Sequence, residues 1–172
     1  VSFIGRITPK KRIDLVIAAL KLLSPEVKKN VRFNVVGPDE AHLWDHVRYT
    51  ESQVGVEINY NGPVFGAELV DAYHDTDIFI LCSESENFAI SVVEAAFCYC
   101  VPLVTKQVGV GQYFSDNSAV FSVLDAVDIS KNIEALVSDP RKREELSNNA
   151  RLVSEQFSTN CLEPGYFKKL IG

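Results

Sequence analysis

The stretch Ser83-Glu84-Ser85-Glu86-Asn87-Phe88-Ala89-Ile90-Ser91-Val92-Val93-Glu94 carries two glutamates, Glu86 and Glu94, separated by seven residues. The apolar spacing predicts a helix over 88–97, with Glu86 just before it and Glu94 two turns inside. At about 1.5 Å of rise per residue, eight steps cover roughly 12 Å, comparable to the reach from a sugar to a ribose across a diphosphate. The helix start between the two offers unpaired backbone N–H groups and the positive end of a dipole, a natural seat for that diphosphate. The carboxylates can then accept hydrogen bonds from hydroxyls at either end. The dipole alone accounts for Glu84 and Glu86. It does not account for Glu94, which stands among Val92, Val93, Ala95, Ala96 and Phe97. A carboxylate in such a setting is costly unless it is paired or hydrogen-bonded.

A second loop, Gly5-Arg6-Ile7-Thr8-Pro9-Lys10-Lys11, follows the first apolar run. Gly5 allows a sharp turn at a strand end. Arg6 presents a planar fork of donors suited to phosphate oxygens. Lys11 opens the next helix, where its ammonium can reach back over the strand end. Three basic residues at a helix start also fit a solvated face, so this loop acquires its meaning from Glu86 and Glu94.

These groups need elements to position them. Strand-like runs occupy 1–4, 31–37, 56–60, 77–82 and 101–104. Helix-like runs occupy 11–23, 40–53, 67–73, 88–97, 127–137 and 141–157, the last two divided at Asp139-Pro140, where proline suits a first helical turn. Alternation of this kind predicts an α/β fold, a Rossmann-like doubly wound parallel sheet in one domain. Such sheets bind ligands outside the carboxyl ends of their strands. The loops beginning near Gly5, Gly37, Gly62, Ser83 and Thr105 are therefore the places for chemistry.

The chain has 172 residues, is 47% hydrophobic and carries a net charge of −6. That length fits one domain with a real core. The acidic balance argues against a nucleic-acid partner, which wants a basic face, but leaves room for an anionic small ligand. No secretory signal or bilayer-spanning apolar run is present. Cys82, Cys98, Cys100 and Cys161 show no paired CxxC spacing, which fits buried thiols in a reducing cytoplasm. The opening Val1-Ser2-Phe3-Ile4-Gly5 already reads as a core strand and the chain contains no methionine, so an excised piece of a longer protein is expected. His42 and His46 lack the glutamate and the third ligand that a zinc protease requires. Gly109-Val110-Gly111 lacks the third glycine of a dinucleotide loop and is expected to be a mobile loop over the ligand site. No GxSxG elbow supports a hydrolase.

Taken in order, the motifs resemble the donor domain of GT-B glycosyltransferases, in particular glycosyltransferase family four. The resemblance rests on Phe3-Ile4-Gly5-Arg6 with Lys11, Gly62-Pro63-Val64 leading to Glu68-Leu69, and Ala72-Tyr73 with Asp77. It continues through Ser83, Glu86-Asn87-Phe88, Val93-Glu94-Ala95, Val101-Pro102-Leu103-Val104-Thr105, and the closing stretch 136–151 with Asp139-Pro140, Arg143, Leu146 and Ala150-Arg151. It covers nearly the whole chain. It implies that residues 1–172 are the nucleotide-sugar-binding, C-terminal half of a longer enzyme whose N-terminal acceptor domain lies outside this chain. Arg6 and Lys11 would hold the donor diphosphate and stabilise the leaving group, and Glu86 would contact the transferred sugar. Glu94 would bind the ribose hydroxyls. Gly5 and the backbone of Asn87, Phe88, Ala89 and Ile90 would border phosphate and sugar, while Pro63, Val64 and Phe65 would lie against the base. The resemblance implies retention of anomeric configuration, a UDP- or GDP-sugar donor and no metal or other cofactor. It places the parent in the cytoplasm, any inner-membrane contact being made by the other domain.

Several positions depart from the family pattern. Ala89 stands where glycine is frequent. Cys98-Tyr99-Cys100 replaces a small-residue turn, the step from Glu94 to Pro102 is one residue longer than usual, and Gln112 falls near a frequent glutamate. These bear on sugar identity more than on fold. Two other readings use the same residues: a non-catalytic binding or regulatory module, and an epimerase or phosphorylase on a similar sheet. The joint presence of Arg6, Lys11, Glu86 and Glu94 favours the transferase, and no motif for a phosphorylase cofactor lysine is found.

Overall fold

The computed structural model describes residues 1–40, 42–45 and 53–160, the last three of these by their backbone alone. Six parallel strands form one sheet: β1 (Ser2–Ile4), β2 (Arg32–Val36), β3 (Glu57–Gly62), β4 (Ile78–Leu81), β5 (Val101–Thr105) and β6 (Val120–Ser122). Their spatial order is β3-β2-β1-β4-β5-β6. The chain thus builds outward from β1 in one direction, returns, and builds outward from β4 in the other. A crevice opens where the direction reverses, at the carboxyl ends of β1 and β4. The α/β, Rossmann-like doubly wound sheet anticipated from the alternating runs is the fold observed.

The burial of each strand explains its composition. β1, β4 and β5 are buried along their whole length, as strands covered on both faces must be. β2 alternates more, with Phe33 and Val35 wholly buried and Arg32 exposed. Helix α1 (Ile13–Leu22) lies against α5 (Ala126–Ser138), and α4 (Ile90–Phe97) lies against α6 (Pro140–Asn160), so the sheet is sandwiched. Two shorter helices among the described residues are α2 (Pro25–Lys28) and α3 (Ala67–His74). Phe3, Phe33, Phe79, Ile80 and Leu103 are all at most 1% exposed. Each such side chain contributes about 1.5–3 kcal/mol. An exposed ion pair such as Arg32–Glu57, at 3.7 Å, contributes on the order of 0–1 kcal/mol. The core, not the surface charge, holds the fold.

Several local expectations shift. The first helix begins at Ile13, because Arg12 takes a left-handed φ of 45° and interrupts the run. Lys11 therefore ends a 3-10 turn, Pro9–Lys11, and does not open the helix. Likewise Ala89 has φ 63°, so α4 begins at Ile90 and Glu94 is one turn inside it, not two. Strand β6, helix α2 and two 3-10 turns were not anticipated; runs of three to five residues are too short for periodicity to register. Both closing helices lie where expected. Asp125 caps α5 by accepting from Val127 N and Asp128 N at 2.9 and 3.0 Å, and Pro140 opens α6. The helix expected over 40–53 falls mostly outside the described residues, as do His46 and Cys161. Within that stretch the Asp39 carboxylate accepts from Leu43 N and Trp44 N, a capping arrangement. His42 has φ 52° and is not helical.

Candidate functional site

The ends of the first three strands are stitched together by backbone hydrogen bonds. Gly5 N donates to Val36 O at 2.8 Å, and Gly37 N donates to Gly62 O at 2.7 Å. Above this seam lies a cleft of about 370 Å³, bordered by Gly5, Arg6, Gly37, Pro63, Val64, Phe65, Tyr73, Ile90 and Glu94. Seven of the residues given a role in the sequence therefore meet in one cleft: Gly5, Arg6, Pro63, Val64, Phe65, Ile90 and Glu94. A larger depression, about 680 Å³, runs over the polar face of β2 and β3 past Arg32, Asn34 and Asn59 to Val1 and Asn30. It extends toward the amino ends of the strands, away from the loops where doubly wound sheets place their ligands.

Lys11 and Glu86 do not line this cleft; they form an ion pair with each other. The loop after β4 is tied to the loop after β1 by Ser83 and Glu84. Glu84 N donates to Lys10 O at 3.0 Å, and Ser83 Oγ donates to the same oxygen at 3.2 Å. Ser83 is in turn fixed to β5, its N–H donating to Thr105 Oγ1 at 3.0 Å. These contacts bring Lys11 to Glu86 across 75 residues of sequence. Arg12 adds a second tie, reaching Asp14 at 2.9 Å and Glu84 at 3.0 Å. Its hydrogen bonds hold the Asp14 carboxyl below the ordinary range. Neither Arg12 nor Asp14 was singled out in the sequence, because the left-handed turn that aims Arg12 leaves no compositional mark.

Gly109-Val110-Gly111 is not a loop lying over the cleft. It belongs to the 3-10 turn Gly109–Tyr113, with Val110 and Gly111 buried. Gly109 N donates to Glu86 O at 2.8 Å, and a Cβ on Gly109 would stand 2.0 Å from Asn87 O. The absent side chain lets this turn approach and hydrogen-bond the Glu86 loop. Asn87 is exposed and Ala89 half-buried. The Phe88 ring packs edge-on to Tyr113 at 6.3 Å and Phe157 at 5.7 Å, which makes it a packing group.

Arg6 is largely exposed and lies 3.8 Å from Glu40. Glu94 is the opposite case: 6% exposed, with its Oε2 accepting from the Tyr73 hydroxyl at 2.7 Å. Tyr73 is itself 1% exposed. Burial, followed by the Glu94 charge, pushes its phenol well above the ordinary value, so it remains a donor. The carboxylate that looked costly in the sequence thus has a specific partner on α3. Phe65, 78% exposed at the rim, adds an aromatic face.

Cys82, Cys98 and Cys100 are buried free thiols. After α4, Tyr99 takes the left-handed φ of 63° that a glycine would otherwise supply, and its carbonyl accepts from Ser147 Oγ at 2.7 Å. Among the described residues no group of three or more His, Cys, Asp or Glu is placed to hold a metal ion. No described helix is long and apolar enough to cross a membrane.

Comparison with known proteins agrees with this geometry. The family described as glycosyl transferases group 1 matches residues 1–153. The chain is 23% identical over 171 residues to an alpha-1,4-N-acetyl-D-galactosaminyltransferase of Campylobacter jejuni, covering 98% of this chain and 46% of that one. The C-terminal domain of LpcC, a group 1 glycosyl transferase of Francisella tularensis, superposes with a TM-score of 0.78 at 20% identity, over 92% of this chain and 84% of that one. Anabaena HepE, solved in complex with UDP and glucose, superposes with a TM-score of 0.77 at 20% identity, over 90% and 43%. The chain spans less than half the length of the curated relatives it matches, 46% of the Campylobacter jejuni protein and 37% of a D-inositol 3-phosphate glycosyltransferase of Rhodococcus jostii to which it is 29% identical. With its 3-2-1-4-5-6 sheet, its switch-point cleft and a family match over nearly its full length, the chain belongs to the group 1 glycosyl transferases and has the fold of their C-terminal, GT-B-type domain.

Proposed function

We propose that this chain is the donor-binding half of a retaining glycosyltransferase that takes a sugar from a nucleoside-diphosphate sugar without a metal ion. The observation that carries the reading is the switch-point cleft, where an exposed guanidinium, the start of an eight-residue helix and a buried carboxylate come together. A diphosphate at the start of α4 meets backbone N–H groups and Arg6, which stabilise the negative charge that develops as the bond from the anomeric carbon to phosphate oxygen breaks. Glu94 accepts from the ribose hydroxyls, and Pro63, Val64 and Phe65 face the base. Lys11 and Glu86 stand at the sugar end, Lys11 exchanging its carboxylate partner for phosphate. UDP in the Anabaena neighbour supports a nucleoside diphosphate as ligand. The acceptor hydroxyl and the groups that receive its proton belong to the other domain of the parent, which also makes any membrane contact.

Calorimetric titration of the chain with UDP, GDP and ADP, with and without a chelator, tests this. One diphosphate binds, chelator changes nothing, and Arg6→Ala weakens the binding. A folded chain that binds none of the three overturns the reading.

A further inference from the structure

Tyr73 is not needed to fill space as a tyrosine; phenylalanine would pack as well. Its ring lies 6.4 Å from Phe79 of β4, and its backbone carbonyl accepts from Cys100 Sγ at 3.2 Å. What the hydroxyl adds is one hydrogen bond, 2.7 Å long, to Glu94 Oε2. Tyr73 sits on α3, the helix that begins directly after the Pro63–Phe65 stretch, and both it and that stretch border the cleft. Glu94 sits on α4 across the same cleft. The hydroxyl therefore ties the helix following the base-facing loop to the carboxylate facing the ribose.

We propose that Tyr73 is a positioning residue that holds Glu94 in the orientation needed to accept from a ribose, and so sets the preference for ribonucleotides over 2′-deoxyribonucleotides. This rests on the reading of the cleft as a nucleoside-diphosphate site. A buried carboxylate has several rotamers, and only a fixed one presents an oxygen to vicinal hydroxyls. A charge-assisted bond from a phenol that stays protonated fixes it without adding a competing charge. The effect is selective by construction. A ligand lacking the 2′-hydroxyl makes less use of Glu94 and loses less when Glu94 is released.

The test is calorimetry on the full chain with UDP, GDP and ADP beside their 2′-deoxy counterparts, for wild type, Tyr73→Phe, Glu94→Gln and the double variant. Tyr73→Phe is expected to weaken the ribonucleotide about fivefold and the deoxynucleotide less than about twofold. In the Glu94→Gln background it changes the ratio by less than about twofold. Equal losses for both ligands, or no loss in a folded variant, overturn the positioning role. If Glu94→Gln itself leaves the ratio unchanged, the ribose assignment of Glu94 fails, and the inference with it. If Glu94→Gln collapses the ratio and Tyr73→Phe does not, only the inference fails. Absence of binding by all three ribonucleotides overturns both. Should Tyr73→Phe not fold, 4-fluorophenylalanine at position 73 is a second probe, close in shape to tyrosine but unable to donate to Glu94. An unchanged ratio with it overturns the proposal.

Discussion

Gly37 presses against the carbonyl of Gly5 so closely that a Cβ at position 37 would stand 2.0 Å from the Gly5 oxygen. The contact joins the ends of β1 and β2, whose loops form one side of the cleft. Both partners are backbone, so no side-chain rotamer relieves it. The φ of 135° at Gly37 disfavours any other residue as well. Gly37→Ala is expected to destabilise the fold by about 2–4 kcal/mol. Urea unfolding measures this, and a loss under about 0.5 kcal/mol would mean that the strand ends separate freely.

Removal of the Tyr73 hydroxyl leaves Glu94 buried with one donor fewer. Tyr73→Phe should cost about 1–3 kcal/mol of stability. Adding Glu94→Gln should recover part of that, because the charge is then gone. Thermal unfolding of the two single variants and the double gives the coupling; strict additivity would show that the bond contributes nothing.

Gly109→Ala drives a methyl group into Asn87 O, 2.0 Å away, and so displaces the Glu86 loop. The cleft around Glu94 does not include Gly109. Affinity for a nucleotide-sugar should therefore fall about tenfold while affinity for the bare nucleotide holds within about threefold. Parallel titrations with UDP and UDP-glucose distinguish this from a general loss of binding, which would place Glu86 elsewhere than at the sugar.

In the complete enzyme, Arg6→Ala and Glu94→Ala should each lower transfer about tenfold or more. The two should differ in their response to salt. Arg6 is exposed and its attraction is screened, whereas Glu94 is buried and its hydrogen bonds are not. Rates across a salt series check this. Unchanged kinetics in a folded double variant would remove both residues from the site.

Burial, with the Asp14 charge adding to it, pushes the Cys82 thiol from its ordinary 9.0 up to about 12. The folded state therefore keeps a proton that the unfolded chain releases first. The stability this provides is whole below about pH 9 and is lost as pH rises from there toward 12. Cys82→Ala should flatten part of the alkaline fall in urea stability. Native Cys82 should also resist alkylation at pH 8 and react on unfolding, which a thiol titration reads directly.

Much of the architecture was legible in one dimension. Apolar runs such as 78–82 and 101–104 are forced by burial on both faces, and that requirement is written residue by residue. Asp139-Pro140 marked a helix start because proline restricts the backbone locally. Glu94 stood out because a charge among Val92, Val93, Ala95 and Ala96 must have a reason. Other features depend on partners distant in sequence. Gly37 matters because of Gly5, and Gly109 because of Asn87. Lys11 meets Glu86 only because Ser83 and Glu84 bind Lys10 O.

The sequence by itself determined the alternation of strands and helices, the parallel sheet and the residue types able to meet an anion and hydroxyls, since periodicity and composition are local properties. The tertiary structure alone decided which of those residues share the cleft and which pair with each other. It also decided that α4 starts at Ile90 and that the Tyr73 hydroxyl donates to Glu94. The physical reason is that a left-handed turn at Arg12 or Ala89, or a 2.7 Å bond between two helices, is selected by packing across the whole sheet and leaves no periodic trace in the chain.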